Sequence, residues 1–218
     1  ISTIAIEQNN KNNNTKKPEA KSAAKIEQQV TISQKLKPLL KLKVMGQSWN
    51  LSGYDFRKFK SINEDDFEIG VDFDKANLAK ANFSGMTIEN VSFYGTNLDD
   101  VNFTNATLKN VQFNRVTMKN AKFKNTKLIS VLFRKTTLKN TDFTKMKGQH
   151  IKFTGTNLDS TIFNNVELEN ALFHRCIIDN MKLINSKLDT VKFDNMRSTI
   201  NFQKSNLQTN SVQGLGWY

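Results

Sequence analysis

From Val71 onward apolar residues return at every fifth position. The column that begins at Phe73 and steps by five to Phe193 holds Phe, Leu, Ile or Met throughout, except at Gly148. Two residues earlier in each unit lies a second column, Val71, Ala76, Ala81, Met86, Val91 and onward to Val191. It holds only Val, Ala, Thr, Met, Ile, Cys or Ser. The other three columns are mostly Asn, Asp, Lys, Thr and Ser. An α-helix repeats every 3.6 residues and a strand every 2, so a step of five fits neither when extended. It fits a coil that turns a corner every five residues. Each side then directs two residues inward, at the central position and two before it, which is strand periodicity. The remaining three columns are expected to face out and make the corner. Four sides close a square coil of twenty residues, and successive coils stack as parallel strands about 4.8 Å apart.

Within the central column Phe alternates with aliphatic residues, as in Phe73, Leu78, Phe83, Ile88, Phe93 and Leu98. In a four-sided coil this places Phe on two opposite sides and aliphatics on the other two. Phe73, Phe93, Phe113, Phe133, Phe153, Phe173 and Phe193 form one ladder. Phe83, Phe103, Phe123, Phe143 and Phe163 form the other, closed by Leu183. Stacked rings from two sides fill such an interior. Gly148 replaces an aliphatic between Leu128 and Leu168, so an irregular coil is expected there, with the gap filled by a neighbour or by a backbone bend. Two residues past the central position, Asn and Gly recur (Gly85, Asn90, Gly95, Asn105, Asn110, Asn120), residues suited to tight corners. Stacked Asn can also hydrogen-bond from coil to coil.

The segments ANLAKANF, TNLDDVNF and TNLDSTIF resemble the pentapeptide-repeat family, whose unit is Ala, Asp or Asn, then Leu or Phe, then two variable residues. The resemblance runs from Val71 to about Ile200. It implies an all-β fold, a right-handed quadrilateral parallel β-helix. The chain departs from the family pattern by placing Val and Thr where Ala is common and by its regular Phe/Leu alternation.

The ends differ. Residues 1–48 read as a basic, low-complexity, extended or disordered N-terminal tail, since EQNNKNNNTKKPEAKSAAK lacks apolar periodicity. Ile26–Val44 in that tail is expected to form a short capping helix or strand. The β-helix is expected over 49–212, with WNLSGYDFRKF as a partial first coil in another phase and acidic SINEDDFEIG as a loop. Phe202 follows Phe193 by nine residues rather than ten, which implies a distorted last coil. Residues 213–218 form a short tail whose Trp217 and Tyr218 are candidates to cover an open strand edge. Ile1 is compatible with a processed chain, and hence with an organelle or with bacterial secretion.

Charge modifies this picture by its distribution. The net charge of the 218-residue chain is +12. Residues 101–152 hold 12 Lys and Arg against Asp142 alone, whereas residues 49–100 hold 5 basic and 10 acidic residues. No segment is apolar over the roughly 18 residues that a membrane-spanning helix needs, so no membrane span is expected. One cysteine, Cys176, excludes an internal disulfide and a multi-cysteine metal site, and it falls in the small inward column. His174 and His150 fall on outward positions. Catalytic motifs, phosphate loops and dinucleotide fingerprints are missing from the sequence. No cofactor, no metal and no small-molecule substrate is therefore expected, and the chain is not read as an enzyme.

Two outward features stand as candidate binding sites. The first is a basic belt of Lys109, Arg115, Lys119, Lys127, Arg134, Lys135, Lys139 and Lys147. Stacked like charges repel, and a polyanion such as RNA or an anionic lipid headgroup would relieve them. The second is an apolar contact patch of Leu132, Ile162, Leu172, Ile177 and Ile184. The leading function is a non-catalytic structural or interaction module, a rigid subunit contacting protein partners in a larger complex. The family resemblance also implies a secreted bacterial effector module as an alternative and, ranked lower, a topoisomerase-binding DNA mimic, because a mimic needs acidic charge along the rod and the middle of this one is basic.

Overall fold

Phe113 and Phe133 are direct Cα partners in neighbouring parallel strands, and so are Phe133 and Phe153. This step of twenty governs the coils from Phe73 to Asp194. The computed structural model describes residues 50–59, 61–62 and 73–196, together with the backbone of Asn201–Gln203, Asn206–Leu207 and Val212–Gln213. The coil has four sides, here called faces 1 to 4 and centred in one coil on Leu78, Phe83, Ile88 and Phe93. Face 3 is an eight-stranded parallel sheet running from Ser61–Ile62 through Thr87–Glu89 to Asn206–Leu207. Face 4 is a seven-stranded parallel sheet running from Ser92–Tyr94 to Val212–Gln213. Face 2 begins as single bridges through Asn82, Asn102, Lys122 and Asp142 and becomes a three-stranded sheet from Ile162–Asn164 onward. Face 1 is held by bridges through Asn77, Asn97, Thr117, Thr137, Asn157 and Ile177.

The corners explain these two textures. Where faces 1 and 2 hold only bridges, the next corner closes on itself: Ala81 N donates to Leu78 O at 3.0 Å and Met146 N to Phe143 O at 3.0 Å. With positive φ at the third residue only, these are type II turns. From Ile88 onward the corners after faces 3 and 4 follow strands of three or four residues instead, whereas the corner after Phe73 on face 4 still closes on itself through Ala76 N to Phe73 O at 3.0 Å. Both kinds place their outermost residue in the left-handed region. Every fifth residue from Lys75 to Asn195 has positive φ, from +49° at Asn185 to +71° at Gly85. The expected Asn and Gly are common there, but so are Lys135, Arg175 and even Thr190. Each non-glycine residue in this region costs about 1–2 kcal/mol, and the cost is offset by the interior that the corner permits.

Asn contributes in two ways. At corners it forms ladders: Asn120 Nδ2 donates to Asp100 at 3.0 Å, and Asn140 Nδ2 donates to Asn120 at 3.2 Å. Just before the central residue it caps the turn instead. Asn97 Oδ1 accepts from Asp99 N at 3.0 Å, and Asn157 Oδ1 from Asp159 N at 2.9 Å. These are Asx turns, and they account for the Asn in TNLDD and TNLDS.

The interior holds two Phe ladders from opposite faces. On face 4 adjacent rings stack at 5.5 Å (Phe73 to Phe93), closing to 4.7 Å (Phe173 to Phe193). On face 2 the spacings run from 5.2 Å (Phe83 to Phe103) to 4.7 Å (Phe143 to Phe163). Between ladders the rings meet edge to face, as Phe123 and Phe133 do at 6.1 Å and 79°. Both geometries suit the ring quadrupole. Buried Thr residues of the small column are hydrogen-bonded inward: Thr136 Oγ1 donates to Phe113 O at 3.0 Å and Thr156 Oγ1 to Phe133 O at 3.0 Å.

Several expectations meet the structure directly. The central and small columns are buried as expected, and the corners are exposed except at half-buried Ser160. The two flanking columns range from half-buried to exposed, because their side chains stack on those of the next coil. Gly148 does not break its coil: it pairs in register with Leu128 and Leu168. Neighbours fill the gap, since a Cβ at Gly148 would stand 2.8 Å from Leu168 Cδ2 and 3.0 Å from Ile151 Cγ1. The partial first coil is present, with Asn50 bridging Asn77, Asp55 bridging Asn82 and Phe56 stacked on Phe83 at 4.3 Å. The short 3-10 helix Arg57–Phe59 leads it into the strand Ser61–Ile62. At the other end Lys182 pairs with Asn201 rather than with residue 202, which is the one-residue deletion. The tail 1–48 with its Ile26–Val44 segment, the acidic loop after Ile62, and Trp217 and Tyr218 lie outside the described residues.

Candidate functional site: the charged outer wall

The twenty-residue step fixes where each belt residue stands. Lys127 and Lys147 precede the centre of face 3 and are direct Cα partners in adjacent strands. Lys109 follows the centre of face 3, beside Ile129 in the next coil. Arg134 follows the centre of face 4. Arg115 and Lys135 are corner residues between faces 4 and 1, at φ +57° and +51°. Lys119 and Lys139 follow the centre of face 1, in coils joined by the Thr117–Thr137 bridge. All eight are exposed. Lys122 and Lys124 on face 2, Lys145 at the next corner and Lys152 on face 4 are also exposed and complete a ring around the rod. The period of twenty, applied to these four residues, is the signal that assigns them to the ring.

The ring is not uniformly unpaired. Its outer coils meet acidic neighbours one coil away: Lys109 Nζ lies 3.7 Å from Glu89, Lys139 Nζ 2.9 Å from Asp159 and Lys147 Nζ 3.1 Å from Glu167. Hydrogen bonds from Lys139, then from Ser160 and Asn180, hold the Asp159 carboxyl below the usual carboxylate range. The Arg115 guanidinium lies 6.0 Å above the Tyr94 ring, at the limit of a cation–π contact. Arg115, Arg134 and Lys135 gather at one edge, between faces 4 and 1.

The apolar candidates are placed differently. Ile162 and Ile184 share face 2 in adjacent coils, on opposite flanks of Phe163 and Leu183. Leu132 and Leu172 are on face 4 with Lys152 between them. Ile177 is on face 1. The structure thus brings Ile162 and Ile184 near one another and spreads the other three over two further faces. Ile162 and Ile177 are each 37% exposed.

The groups with chemical potential are engaged in structure. Cys176 is buried and its Sγ stands 3.4 Å from Phe153 O. Burial pushes its thiol up to about 11. His174 Nδ1 lies 2.7 Å from Asp194 Oδ2, one coil further on. Among the described residues no group of three or more His, Cys, Asp and Glu could hold a metal ion. A shallow depression of about 520 Å³ lies over face 3, floored by Leu128, Gly148, Leu168 and Leu188 and walled by Lys127, Lys147, Glu167 and Glu169. No described helix is long and apolar enough to cross a membrane.

The chain belongs to the pentapeptide-repeat family. The profile for a pentapeptide repeat region matches residues 69–143, and that for eight copies of the pentapeptide repeat matches residues 151–189. Compared with curated proteins by sequence, the chain finds no match. Among solved structures it is similar to QnrB1, a plasmid-mediated fluoroquinolone resistance protein, at 15% identity over 77% of this chain and 89% of that one, with a TM-score of 0.48. It is similar to HetL of the cyanobacterium Nostoc, a pentapeptide-repeat protein involved in heterocyst differentiation regulation, at 13% identity over 75% and 81%, with a TM-score of 0.32. A pentapeptide-repeat protein of the Arabidopsis thaliana thylakoid lumen matches at 17% identity over 56% and 68%, with a TM-score of 0.37.

Proposed function

We propose that the chain is a non-catalytic interaction module, a rigid rod that contacts other proteins of a larger assembly through its outer wall. The observation that supports this most is the division of labour in each repeat. Two columns are spent on the interior, and the charged residues stand in fixed rows outside it, with Lys and Arg on all four faces of the middle coils. Such rows present charge without the entropy loss of ordering a loop on binding. The belt is the contact in this reading, and it suits an acidic partner surface.

A belt contact weakens steeply with salt, because exposed charges are screened over about 10 Å at 0.1 M ionic strength. The test is affinity capture of the full chain at its native level across a salt series. Wild type is expected to hold a defined set of partner proteins at low salt. Reversing Arg115, Lys119, Lys135 and Lys139 to Glu should release them while the fold is kept, since all four are exposed. If Ile162→Asp with Ile184→Asp releases them instead, with little effect of salt, face 2 carries the contact. Retention by both variants at every salt level would refute the belt and the face 2 patch alike.

A further inference from the structure

One edge of the coil is built unlike the other three. Its corner row, between faces 4 and 1, reads Lys75, Gly95, Arg115, Lys135, Gly155 and Arg175. The other edges carry Asn at several corners, and side chains there bond from coil to coil, as Asn110 does to Asn90 and Asn125 to Asn105. From Lys75 to Arg175 this edge has no Asn, and among the described residues no side-chain hydrogen bond joins its corners. Lys75, Arg115, Lys135 and Arg175 nonetheless hold φ of +58°, +57°, +51° and +52°. Each costs about 1–2 kcal/mol in that region. The Lys stems lie over the glycines: a Cβ on Gly95 would stand 3.4 Å from Lys75 Cγ, and one on Gly155 3.9 Å from Lys135 Cγ. Strain held by long cationic side chains, with no ladder in return, points to a function.

The charge around this edge is of one sign. Between Ser92 and Ile177 no Asp or Glu stands on face 4, at this edge or on the near flank of face 1. Carboxylates border it only further out. Asp74 and Asp194 stand at its two ends, bonded to Tyr94 N at 3.1 Å and to His174 at 2.7 Å. Asp99, Asp159 and Asp179 stand across face 1, where Lys139 holds Asp159. All three arginines of the coils from Phe73 to Asp194 gather here: Arg115, Arg175 and, beside Lys135, Arg134. Among the described residues none of these three, nor Lys75 or Lys135, is in an ion pair, whereas Lys109, Lys139 and Lys147 are. All five are exposed. Coils rise about 4.8 Å each, so the cations form a straight ridge about 24 Å long. We propose that this ridge binds the phosphate backbone of a nucleic-acid duplex, without reading base sequence. A guanidinium meets phosphate through two parallel hydrogen bonds. Tyr94, the one aromatic beside the ridge, lies under Arg115, so no row of rings is present on which unpaired bases could stack. Protein interfaces have an apolar centre, and membrane-surface elements bury an apolar face. The rows beside this ridge are short and polar, such as Asn114, Thr117, Thr137 and Thr154, with no aliphatic before Ile177. Such a polar, positive surface is that of a nucleic-acid interface. The inference goes beyond the protein contact proposed for the belt, and its test uses no protein partner, so either can fail alone.

Fluorescence anisotropy of labelled RNA and DNA duplexes of arbitrary sequence, titrated with the purified full chain, tests it. Both duplexes should bind in the micromolar range at about 50 mM salt. The logarithm of affinity should fall with that of salt at a slope of about −4, which is about 0.9 for each of four or five phosphates. Single strands should bind more weakly, since their charge is less dense. Arg115→Asn with Arg175→Asn should weaken duplex binding at least roughly tenfold and flatten the slope by about 2. The melting temperature of that chain should hold or rise, because Asn suits a positive φ better than Arg does. Lys122→Asn with Lys124→Asn takes the same charge from face 2 and should leave affinity and slope nearly unchanged. Polyglutamate and vesicles containing phosphatidylserine should compete far less well than unlabelled duplex. No binding at low salt overturns the proposal, and so do equal losses in the two double variants. Equal affinity for single strands, or equal competition by polyglutamate or the vesicles, overturns it as well. A lowered melting temperature in the Arg115→Asn, Arg175→Asn chain would assign the ridge to the fold instead of to a ligand.

Discussion

Leu168 occupies the space that a side chain on Gly148 would need: its Cδ2 lies 2.8 Å from the place of the missing Cβ. The two residues are direct partners in adjacent strands of face 3. The vacancy in the aliphatic ladder is thus closed by the residue one coil further on, with help from Ile151 and Met146. Gly148→Leu should restore the repeat in sequence yet destabilise the fold, because overpacking a filled interior costs about 1–3 kcal/mol. Combining it with Leu168→Ala should recover part of the loss. Denaturant unfolding of the two single variants and the double variant measures the coupling. An additive double variant would mean that the two side chains do not compete for one space.

Cys176 holds the place that Thr136 and Thr156 hold in earlier coils, with its sulfur 3.4 Å from Phe153 O. Cys176→Thr should therefore be nearly neutral in stability. In the native chain the thiol should resist alkylation at pH 8 and react once the chain unfolds, as mass spectrometry can read. The thiol is raised from 9.0 to about 11 on folding. The folded state then binds the proton more tightly, and the gain is complete below pH 9. Stability should fall as pH rises from 9 towards 11, and the Cys176→Thr variant should lack this portion of the fall. Equal alkaline slopes in the two chains would contradict the burial of the thiol.

Thr190 sits at a corner with φ +54°. A β-branched residue is poorly suited to that region. Thr190→Asn, which tolerates it, and Thr190→Gly should both stabilise the chain, Gly by roughly 1 kcal/mol. The hydrogen bond from Thr190 Oγ1 to Asp189 at 2.9 Å is exposed and offsets little of this. A lowered melting temperature in both variants would show that the corner is held by the hydroxyl rather than strained by the side chain.

The parts of the fold legible in the sequence were those fixed by periodicity. The step of five placed Phe113 and Phe133 on one ladder, and the Phe/Leu alternation placed Phe123 on the opposite one. Gly148 stands out in the repeat, but which residue fills its gap depends on rotamers, which a repeat pattern does not encode. The corner pattern favours Asn and Gly, whereas Lys135 and Thr190 adopt the same conformation because the coil imposes it on any residue there. The belt residues were legible as outward, yet their acidic partners were not. The Lys139–Asp159 and Lys147–Glu167 pairs join residues twenty apart, and they emerge only when the charge sequence is folded at the coil period. The same folding spreads Leu132, Leu172 and Ile177 away from Ile162 and Ile184.

Phe113 tests whether the ring ladders or the bare apolar column hold the coil. It stacks on Phe93 at 5.2 Å and on Phe133 at 5.0 Å, and it meets Phe103 edge to face at 6.1 Å. Phe113→Leu keeps an apolar side chain but gives up three ring contacts, each worth about 0.5–1.5 kcal/mol beyond area. It should lower the melting temperature measurably and leave the chain folded. Phe113→Asp places a carboxylate between two rings, with only backbone groups already engaged in the coil around it. An unpaired buried charge is far more costly than a lost contact, so this variant should fail to form a cooperative β-helix near neutral pH. Acid should recover part of the structure by protonating the carboxyl. A Phe113→Asp chain that melts like wild type would place residue 113 on the outside of the coil and break the inward assignment for its whole column.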